Sequence, residues 1–523
     1  MAFVIESIFL SSIFLLSVFC IALYYYVTRK FNFWKDHGVT YVKPLPFFGS
    51  LKSVTLQKVS IGSYLKDIYD DYKGEPYVGI FSMTEPAVVL RDLDLVKNIL
   101  VKDAETFMNH ILDLDEELDP LAARRLLTLR GERWRHMRVN LSPTFTAGKM
   151  RKMFYLVDNC GKELVKYVDA EVAEGKYVQV KDTMARFTTD VIASCAFGIE
   201  SNSFKNPNAE FIVQLRKLFE FSTLRSFAIS VSFFVPSLLR LLRLSVVDPS
   251  VNQFLRDTVW TTVNYREKNG ITRGDFLDSM IELRKRGNEA NGHASRDSKS
   301  ETPVFKVEGD DFVAPAFSFL MAGFETSSST MSFTLYELAL QPDLQQRLRT
   351  EILEVLGKHN NELSYDAMKE MKYLDMVVSE ALRKYPILPF LDRMSLKDYE
   401  LPHPSGKGTV PIPAGTGVYI PVLGMHYNPE YFEDPEKFDP ERFSEENKSS
   451  IPNYSYLPFG DGPRFCMGKR FGLMQTKTGL IHIIGRYEVT PCKETPVPLV
   501  LNQKAFVISS VAGIPLKFKR IAT

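Results

Sequence analysis

The sequence predicts a membrane-anchored α+β chain, one apolar span followed by a globule that mixes helices with short strands. Three observations carry this. Ser7–Thr28 contains no charged residue and is mostly Ile, Leu, Phe, Val and Tyr. Residues 310–340 form an apolar run long enough for a buried helix, ending before Pro342. Strand-like stretches such as Pro76–Phe81 and Pro86–Leu90 are few and short. The 523 residues are 45% apolar and 24% charged, an ordinary globular balance. A net charge of +1 gives no basic footprint for nucleic acid. No Pro/Gly/Ser-rich linker divides the chain after the anchor, so one large domain is expected over residues 51–523. The five cysteines (Cys20, Cys160, Cys195, Cys466, Cys492) are scattered and never form C-x-x-C. That argues against a disulfide framework and against a zinc site, and fits a cytosol-facing globule.

As a helix, Ser7–Thr28 spans ~33 Å, enough for a hydrocarbon core of ~30 Å. Arg29, Lys30 and Lys35 follow, whereas only Glu6 precedes. The positive-inside rule puts the N-terminus in the lumen and the globule in the cytosol. Residues 1–30 therefore read as a single-pass anchor, with Tyr24, Tyr25, Tyr26 and Trp34 at the interface. Residues 31–50, with Pro44 and Pro46, read as a stiff extended linker.

Beyond the two strands, Asp92–Lys102 reads as a helix and the acidic run Asp113–Asp119 as a solvated loop. Glu132–Arg138 opens a helix on which Trp134 and Arg138, four apart, share a face. An indole N–H beside a guanidinium fork suits a carboxylate. Phe187–Gly198 reads as a buried helix stopped by glycine. Phe233–Leu244 is very apolar with two arginines, and two readings compete, core or a membrane-contacting patch in which Arg240 and Arg243 snorkel. Gly287–Glu308 is polar and reads as a surface loop.

For the long helix, Asp310 or Asp311 is the expected N-cap. Its middle, Ala322-Gly323-Phe324-Glu325-Thr326 and then Ser327–Thr330, is poor helix material. A local opening is expected there. A Thr hydroxyl beside an acid makes a proton-delivery pair, with Thr326 presenting the hydroxyl and Glu325 relaying protons. Phe317, Leu320, Met321 and Phe324 lie one or two turns earlier and are candidate substrate-pocket residues. Glu380 and Arg383 share a helix face. Thr409–Val422 reads as a hairpin and Phe471–Arg486 as a helix.

Near the C-terminus, Phe459-Gly460-Asp461-Gly462-Pro463-Arg464-Phe465-Cys466-Met467-Gly468 puts one cysteine in a glycine-rich loop. Glycines let backbone N–H groups turn toward one sulfur, which stabilises a thiolate. Phe459 can shield that sulfur, and Arg464 can reach an acidic group above it.

The stretch resembles the heme-binding loop of the cytochrome P450 family, F-x-x-G-x-R-x-C-x-G, at Phe459, Gly462, Arg464, Cys466 and Gly468. Trp134-x-x-x-Arg138 resembles the family's propionate contact. Ala322-Gly323-x-Glu325-Thr326 resembles its [AG]-G-x-[DE]-T. Glu380-x-x-Arg383 with Pro440-Glu441-Arg442-Phe443 resembles its structural ion triad of Glu380, Arg383 and Arg442. The details look most like insect microsomal members associated with detoxifying plant toxins and insecticides. The resemblance implies a mainly α fold with small β-sheets and heme b, iron protoporphyrin IX, between the long helix and the cysteine loop. It implies Cys466 as the iron ligand, and Trp134, Arg138, Arg464, Phe459, Gly462, Gly468 and Ala322 around the cofactor. Leu388, Phe390, Leu391 and Phe506 join the expected pocket wall. His110 stands where some relatives use arginine, and Arg393 comes later than their basic residue. The implied activity is NADPH-dependent monooxygenation of a lipophilic small molecule at the endoplasmic reticulum membrane. No G-x-G-x-x-G follows a strand, so electrons are expected from NADPH-cytochrome P450 reductase, with cytochrome b5 as a second candidate donor and membrane lipid as a further contact. Two alternatives remain, a heme-thiolate isomerase or dehydratase needing no reductase and a non-catalytic carrier of hydrophobic ligands. An intact Glu325–Thr326 pair argues against both.

Overall fold

In the computed structural model, described for residues 2–219, 228–229, 232, 236–293, 308–503 and 505–521, the chain forms two compact units. One comprises residues 1–111 and 390–425, the other 112–389 and 426–523.

The first unit begins with helix α1 (Ala2–Thr28), uncharged after Glu6 and with most of its large apolar side chains exposed. Strands β1 (Tyr77–Ser82) and β2 (Glu85–Leu90) pair antiparallel, as their spacing predicts. The segment expected as a linker is instead packed on this sheet. Trp34 is fully buried and its Nε1 donates to the Ile80 carbonyl at 2.9 Å. It rests on Gly79, where an added Cβ would meet the indole at 2.5 Å. Trp34 is thus a core residue rather than an interface residue, whereas Tyr24, Tyr25 and Tyr26 are exposed. The other face carries Val78, Ile80, Ala87 and Val89, covered by Leu65, Ile68, Phe390 and Tyr419. With both faces covered, every position from Tyr77 to Phe81 is buried, and polar alternation is lost.

Strands β3 (Leu391–Met394), β4 (Tyr399–Pro402), β5 (Thr409–Ile412) and β6 (Gly417–Ile420) complete this unit. The expected hairpin over Thr409–Val422 does not form. β5 pairs with β4, while β6 runs parallel to β2 and antiparallel to β3, giving the order β1-β2-β6-β3. Pro411 and Pro413 lack N–H donors, which confines that stretch to an edge.

The second unit is helical around one buried rod. Its parts are α2 (Gly131–Leu141), α3 (Ala147–Ala173), α4 (Val180–Ile192), α5 (Gly309–Leu340), α6 (Lys372–Lys384) and α7 (Lys469–Ile484), with strands β7 (Tyr487–Pro491) and β8 (Pro515–Arg520). α4 passes into a π-turn that ends at Gly198 in the left-handed region, φ 69°. α5 is capped by Glu308, not by an aspartate. Asp310 is held by Arg256 at 2.7 and 2.9 Å, and Asp311 lies near Arg124 and Arg133, so both acids fall inside the first turn. The helix then runs unbroken to Leu340. The expected opening is absent, and the hydroxyls bond back along the helix: Thr326, Thr330 and Ser332 each donate to the carbonyl four residues earlier.

Two other expectations change, and a third is only partly covered by the described residues. The acidic run is not all solvated, for Asp119 is buried and accepts from Ser245 Oγ and the N–H groups of Val246 and Val247. Gly287–His293 continues the helix Phe276–His293, and residues 294–307 lie outside the described residues. Residues 233–235 of the apolar patch also lie outside them. In the helix Pro236–Leu242, Leu239 is buried and Leu241 exposed, while Arg240 pairs with Asp115 at 2.8 Å.

Candidate functional site

Cys466 is presented by a loop closed on itself before α7. Its N–H donates to the Phe459 carbonyl at 2.8 Å, and the Phe465 N–H reaches Gly462 O at 3.0 Å. Gly460 and Gly462 have φ of 66° and 71°, a conformation that only glycine adopts without strain. The sulfur receives the backbone N–H groups of Gly468 and Lys469. It is accessible, yet it lies so far inside the protein that burial is the largest influence on it and pushes the thiol up, against those N–H groups and the charges of Arg138 and Lys469. Two N–H groups and two cations do not suffice for a resting thiolate here. A metal cation above the sulfur would tip the balance.

Three cation-bearing or N–H-bearing groups gather beside this loop. The Arg464 guanidinium lies 4.1 Å from the Trp134 ring centre, and its Nη1 and Nη2 donate to the carbonyls of Leu126 and Leu129 at 3.1 and 2.8 Å. Arg138 lies 4.4 Å over Phe465, the neighbour of Cys466. Trp134 is buried and Arg138 half-buried, and burial pulls the Arg138 guanidinium down. Among the described residues neither Trp134 Nε1 nor the Arg138 guanidinium makes a hydrogen bond or ion pair with another residue, a set of unused donors that fits an anionic group. Phe465, which sequence reasoning passed over, is the plate between Arg138 and the cysteine. Phe459 carries Lys469 Nζ at 5.4 Å from its ring.

α5 reaches the same region through α7. Gln475 Nε2 donates to the Gly323 carbonyl at 2.7 Å. On the other side an added Cβ at Gly323 would meet Ile192 Cδ1 at 2.4 Å, so glycine lets α4 and α5 approach. Ala322 is exposed in a half-buried stretch of α5, and Thr326 is half-buried with Oγ1 donating to Ala322 O at 2.6 Å. Glu325 is tied elsewhere. Lys181 Nζ on α4 holds its Oε1 at 2.8 Å and also reaches Ser329 and Ser328 at 2.7 and 3.1 Å. Burial pulls the Lys181 ammonium down, and Glu325 opposes that shift. The expected acid–hydroxyl neighbours are therefore adjacent in sequence but differently engaged. Phe317 and Leu320 are fully buried, Met321 and Phe324 half-buried, and Leu388 and Phe506 exposed.

Beneath the loop, α6 holds a buried ion cluster. Arg383 Nε and Nη2 meet both Glu380 oxygens at 2.7 Å, with both side chains fully buried. Arg442 Nε stands 3.5 Å from Glu380 Oε1, and the Asp439 N–H donates to the same oxygen at 2.9 Å. Burial pushes the Glu380 carboxyl up, and the two arginines oppose it without prevailing. His426, unremarked in the sequence, joins this cluster to the loop. Its Nε2 accepts from the Leu457 N–H at 3.0 Å, so its proton is on Nδ1, which donates to the Arg383 carbonyl at 3.0 Å. Burial pushes it down to about 3, so it stays neutral.

In the first unit, Phe390 is buried in the sheet core with Tyr419, their ring centres 6.1 Å apart, and Leu391 is half-buried at the start of β3. His110 Nδ1 and the Ile111 N–H meet Asp392 at 3.0 and 2.6 Å. Burial would raise that carboxyl, but these partners hold it below its usual range.

A family profile described as cytochrome P450 matches residues 40–516. The chain belongs to the cytochrome P450 family. Cytochrome P450 6j1 of Blattella germanica is 49% identical over 518 residues, 99% of each chain. Cytochrome P450 6k1 of the same insect is 45% identical, covering 95% of each. Probable cytochrome P450 6a14 of Drosophila melanogaster is 41% identical, covering 94% of this chain and 96% of its own. As a cytochrome P450, the chain is a monooxygenase that binds heme b, acts on a small molecule and draws electrons from a redox partner such as a reductase. The donor set fits that cofactor: an accessible cysteine with two N–H groups at its sulfur, and beside it an indole N–H and a guanidinium that make no hydrogen bond or ion pair among the described residues.

Proposed function

We propose that this cytochrome P450 inserts one oxygen atom of O2 into a small lipophilic substrate, a xenobiotic or an endogenous lipid, with NADPH-cytochrome P450 reductase as donor and cytochrome b5 as an accessory one. The observation that carries the reading is the accessible Cys466 sulfur, backed by Gly468 and Lys469 N–H groups and flanked by Arg138. Cys466 ligates the iron, and the bound heme supplies the oxygen-activating chemistry. Trp134, Arg138 and Arg464 hold its carboxylates, with Gly462 and Gly468 shaping the loop and Phe459 screening the sulfur. Ala322 faces the porphyrin. Thr326, whose hydroxyl hydrogen is committed to Ala322 O, accepts a hydrogen bond with its oxygen and so would hold a proton-carrying water in place. Glu325 becomes a relay once it leaves Lys181. Phe317, Leu320, Met321, Phe324, Leu388 and Phe506 confine the substrate. Glu380, Arg383 and Arg442 fix the scaffold and take no chemical step. α1 anchors the globule in the endoplasmic reticulum membrane with the N-terminus in the lumen, as Arg29 and Lys30 support.

Reduction of the heme-loaded protein under carbon monoxide tests this. The long-wavelength band of thiolate-bound heme is expected in the parent protein and lost in Cys466→Ala. A parent protein lacking that band would sink the proposal.

A further inference from the structure

Two adjacent arginines precede Trp134, and they differ in a way the activity does not explain. Arg124 is surrounded by acids: its Nη2 meets Glu116 at 2.7 Å, and Asp311 and Asp310 lie at 3.5 and 4.0 Å. Arg125 has none. Its Nε donates to the Ala122 carbonyl at 3.1 Å, and its guanidinium carbon sits 5.3 Å from the ring centre of the fully buried Phe317. Among the described residues, Nη1 and Nη2 have no partner. Asp119, the acid that bears on Arg125, is itself buried, with its oxygens taken by Ser245, Val246 and Val247.

The guanidinium is not a surface group. Burial pulls it down to about 10, which still leaves it charged at neutral pH. Both sides of its turn are fixed. The Leu126 N–H donates to Ser318 Oγ on α5 at 3.4 Å, and the carbonyls of Leu126 and Leu129 hold Arg464 of the cysteine loop. The turn therefore connects the helix expected to wall the substrate pocket with the loop expected to carry the heme. Phe317 lies five residues before Ala322, ~7.5 Å along the helix axis. A half-buried cation without a counter-ion is costly unless something else accepts its charge. With Nε occupied, Nη1 and Nη2 present an end-on fork, the geometry that takes both oxygens of a carboxylate.

We propose that Arg125 is a receptor for the carboxylate of an acidic lipophilic substrate, so that this enzyme accepts long-chain or terpenoid acids as well as neutral molecules. The inference rests on the reading of α5 as a pocket wall. The porphyrin's own carboxylates are the competing source of the same chemistry, but the Trp134 indole N–H and the Arg138 guanidinium already provide donors for them.

The test is a difference-spectral titration of the heme-loaded protein with dodecanoate and with methyl dodecanoate. The parent protein should bind the acid at least tenfold more tightly than the ester, a comparison that needs no variant. Arg125→Leu should lose tenfold or more in affinity for the acid and stay within twofold for the ester, with heme content unchanged. Arg125→Lys, which keeps the charge but not the fork, should fall between them. Equal affinity for acid and ester in the parent would overturn the proposal. So would a fall in heme content in both variants, which would assign the guanidinium to the porphyrin. A carbon monoxide band and an ester response that persist in either case would leave the family reading intact.

Discussion

Replacing Arg383 by methionine isolates the cost of a buried charge beneath the heme loop. The parent guanidinium meets both Glu380 oxygens at 2.7 Å and the carbonyls of His426 and Lys437 at 3.0 and 3.2 Å. In Arg383→Met, Glu380 keeps only the Asp439 N–H and an Arg442 nitrogen 3.5 Å away, still fully buried. Breaking one partner of such a pair costs about 3–5 kcal/mol, a large share of a typical total of about 5–15 kcal/mol. The sign of the pH effect follows from the Glu380 carboxyl, which burial has already raised and which loses its strongest opposing partner. A carboxyl raised in the folded state destabilises above its folded value, and stability returns as pH falls toward its unfolded value. Arg383→Met should therefore lose least at mildly acidic pH. Glu380→Gln in the same chain removes the buried charge, and the double variant should recover roughly 1–3 kcal/mol of coupling. Urea unfolding of the four proteins, with heme retention read in parallel, measures the cycle. Additive losses, or a single-variant loss below about 1 kcal/mol, would show that Glu380 is not held charged by Arg383.

His426 is neutral because burial depresses it to about 3, whereas the unfolded ring titrates near 6.5. Between these values the unfolded chain binds a proton that the folded one does not, so stability is lost as pH falls, by up to about 1.4 kcal/mol per unit; the slope between pH 6.5 and 5 should flatten in His426→Gln when unfolding is followed by fluorescence. Gly323→Ala places a methyl 2.4 Å from Ile192 Cδ1; overpacking of about 1–3 kcal/mol should exceed the helix-propensity gain of about 1, and Ile192→Val should restore the thermal midpoint. Thr326→Ala should retain heme but divert NADPH into peroxide, and unchanged coupling of NADPH to product would remove Thr326 from proton delivery. Lys181→Met frees Glu325 from its 2.8 Å ion pair; turnover should change in its pH profile, and an unaltered profile would show that the pair does not limit Glu325.

The residues that announce the site share one property: each is of a type that few structural roles require at that spacing. A cysteine among glycines, a Trp four residues from an Arg, and an acid–threonine pair inside an apolar helix were legible for that reason. What the sequence hid were groups whose role is set by distant partners. His426 is defined by Leu457 and Arg383, and nothing in its neighbours points to either. Lys181 is a polar residue on an amphipathic helix until α5 supplies Glu325. Gln475 carried a faint signal, a polar side chain within the apolar run 471–486, and it is buried with a donor on Gly323 O. The strand pairing of Gly417–Ile420 was misread because local turn residues speak for a hairpin, whereas register with Ala87–Val89 is settled by tertiary contact.

The expected helix opening shows how local propensity can mislead about mechanism. Glycine and a run of hydroxyl residues weaken an isolated helix, but here each weakness has a partner. The Gly323 carbonyl takes Gln475, the Phe324 carbonyl takes Thr188 at 3.2 Å, and the Thr326 hydroxyl takes Ala322 O. The first two donors come from α7 and α4, and the third from α5 itself. α7 also begins three residues after Cys466. A single helix thus fixes the cysteine loop at one end and the Ala322–Thr326 turn along its length. Positioning of the two halves of the site depends on that shared helix more than on either motif alone. Cutting the Gln475–Gly323 contact should then disturb the site while leaving both motifs unchanged.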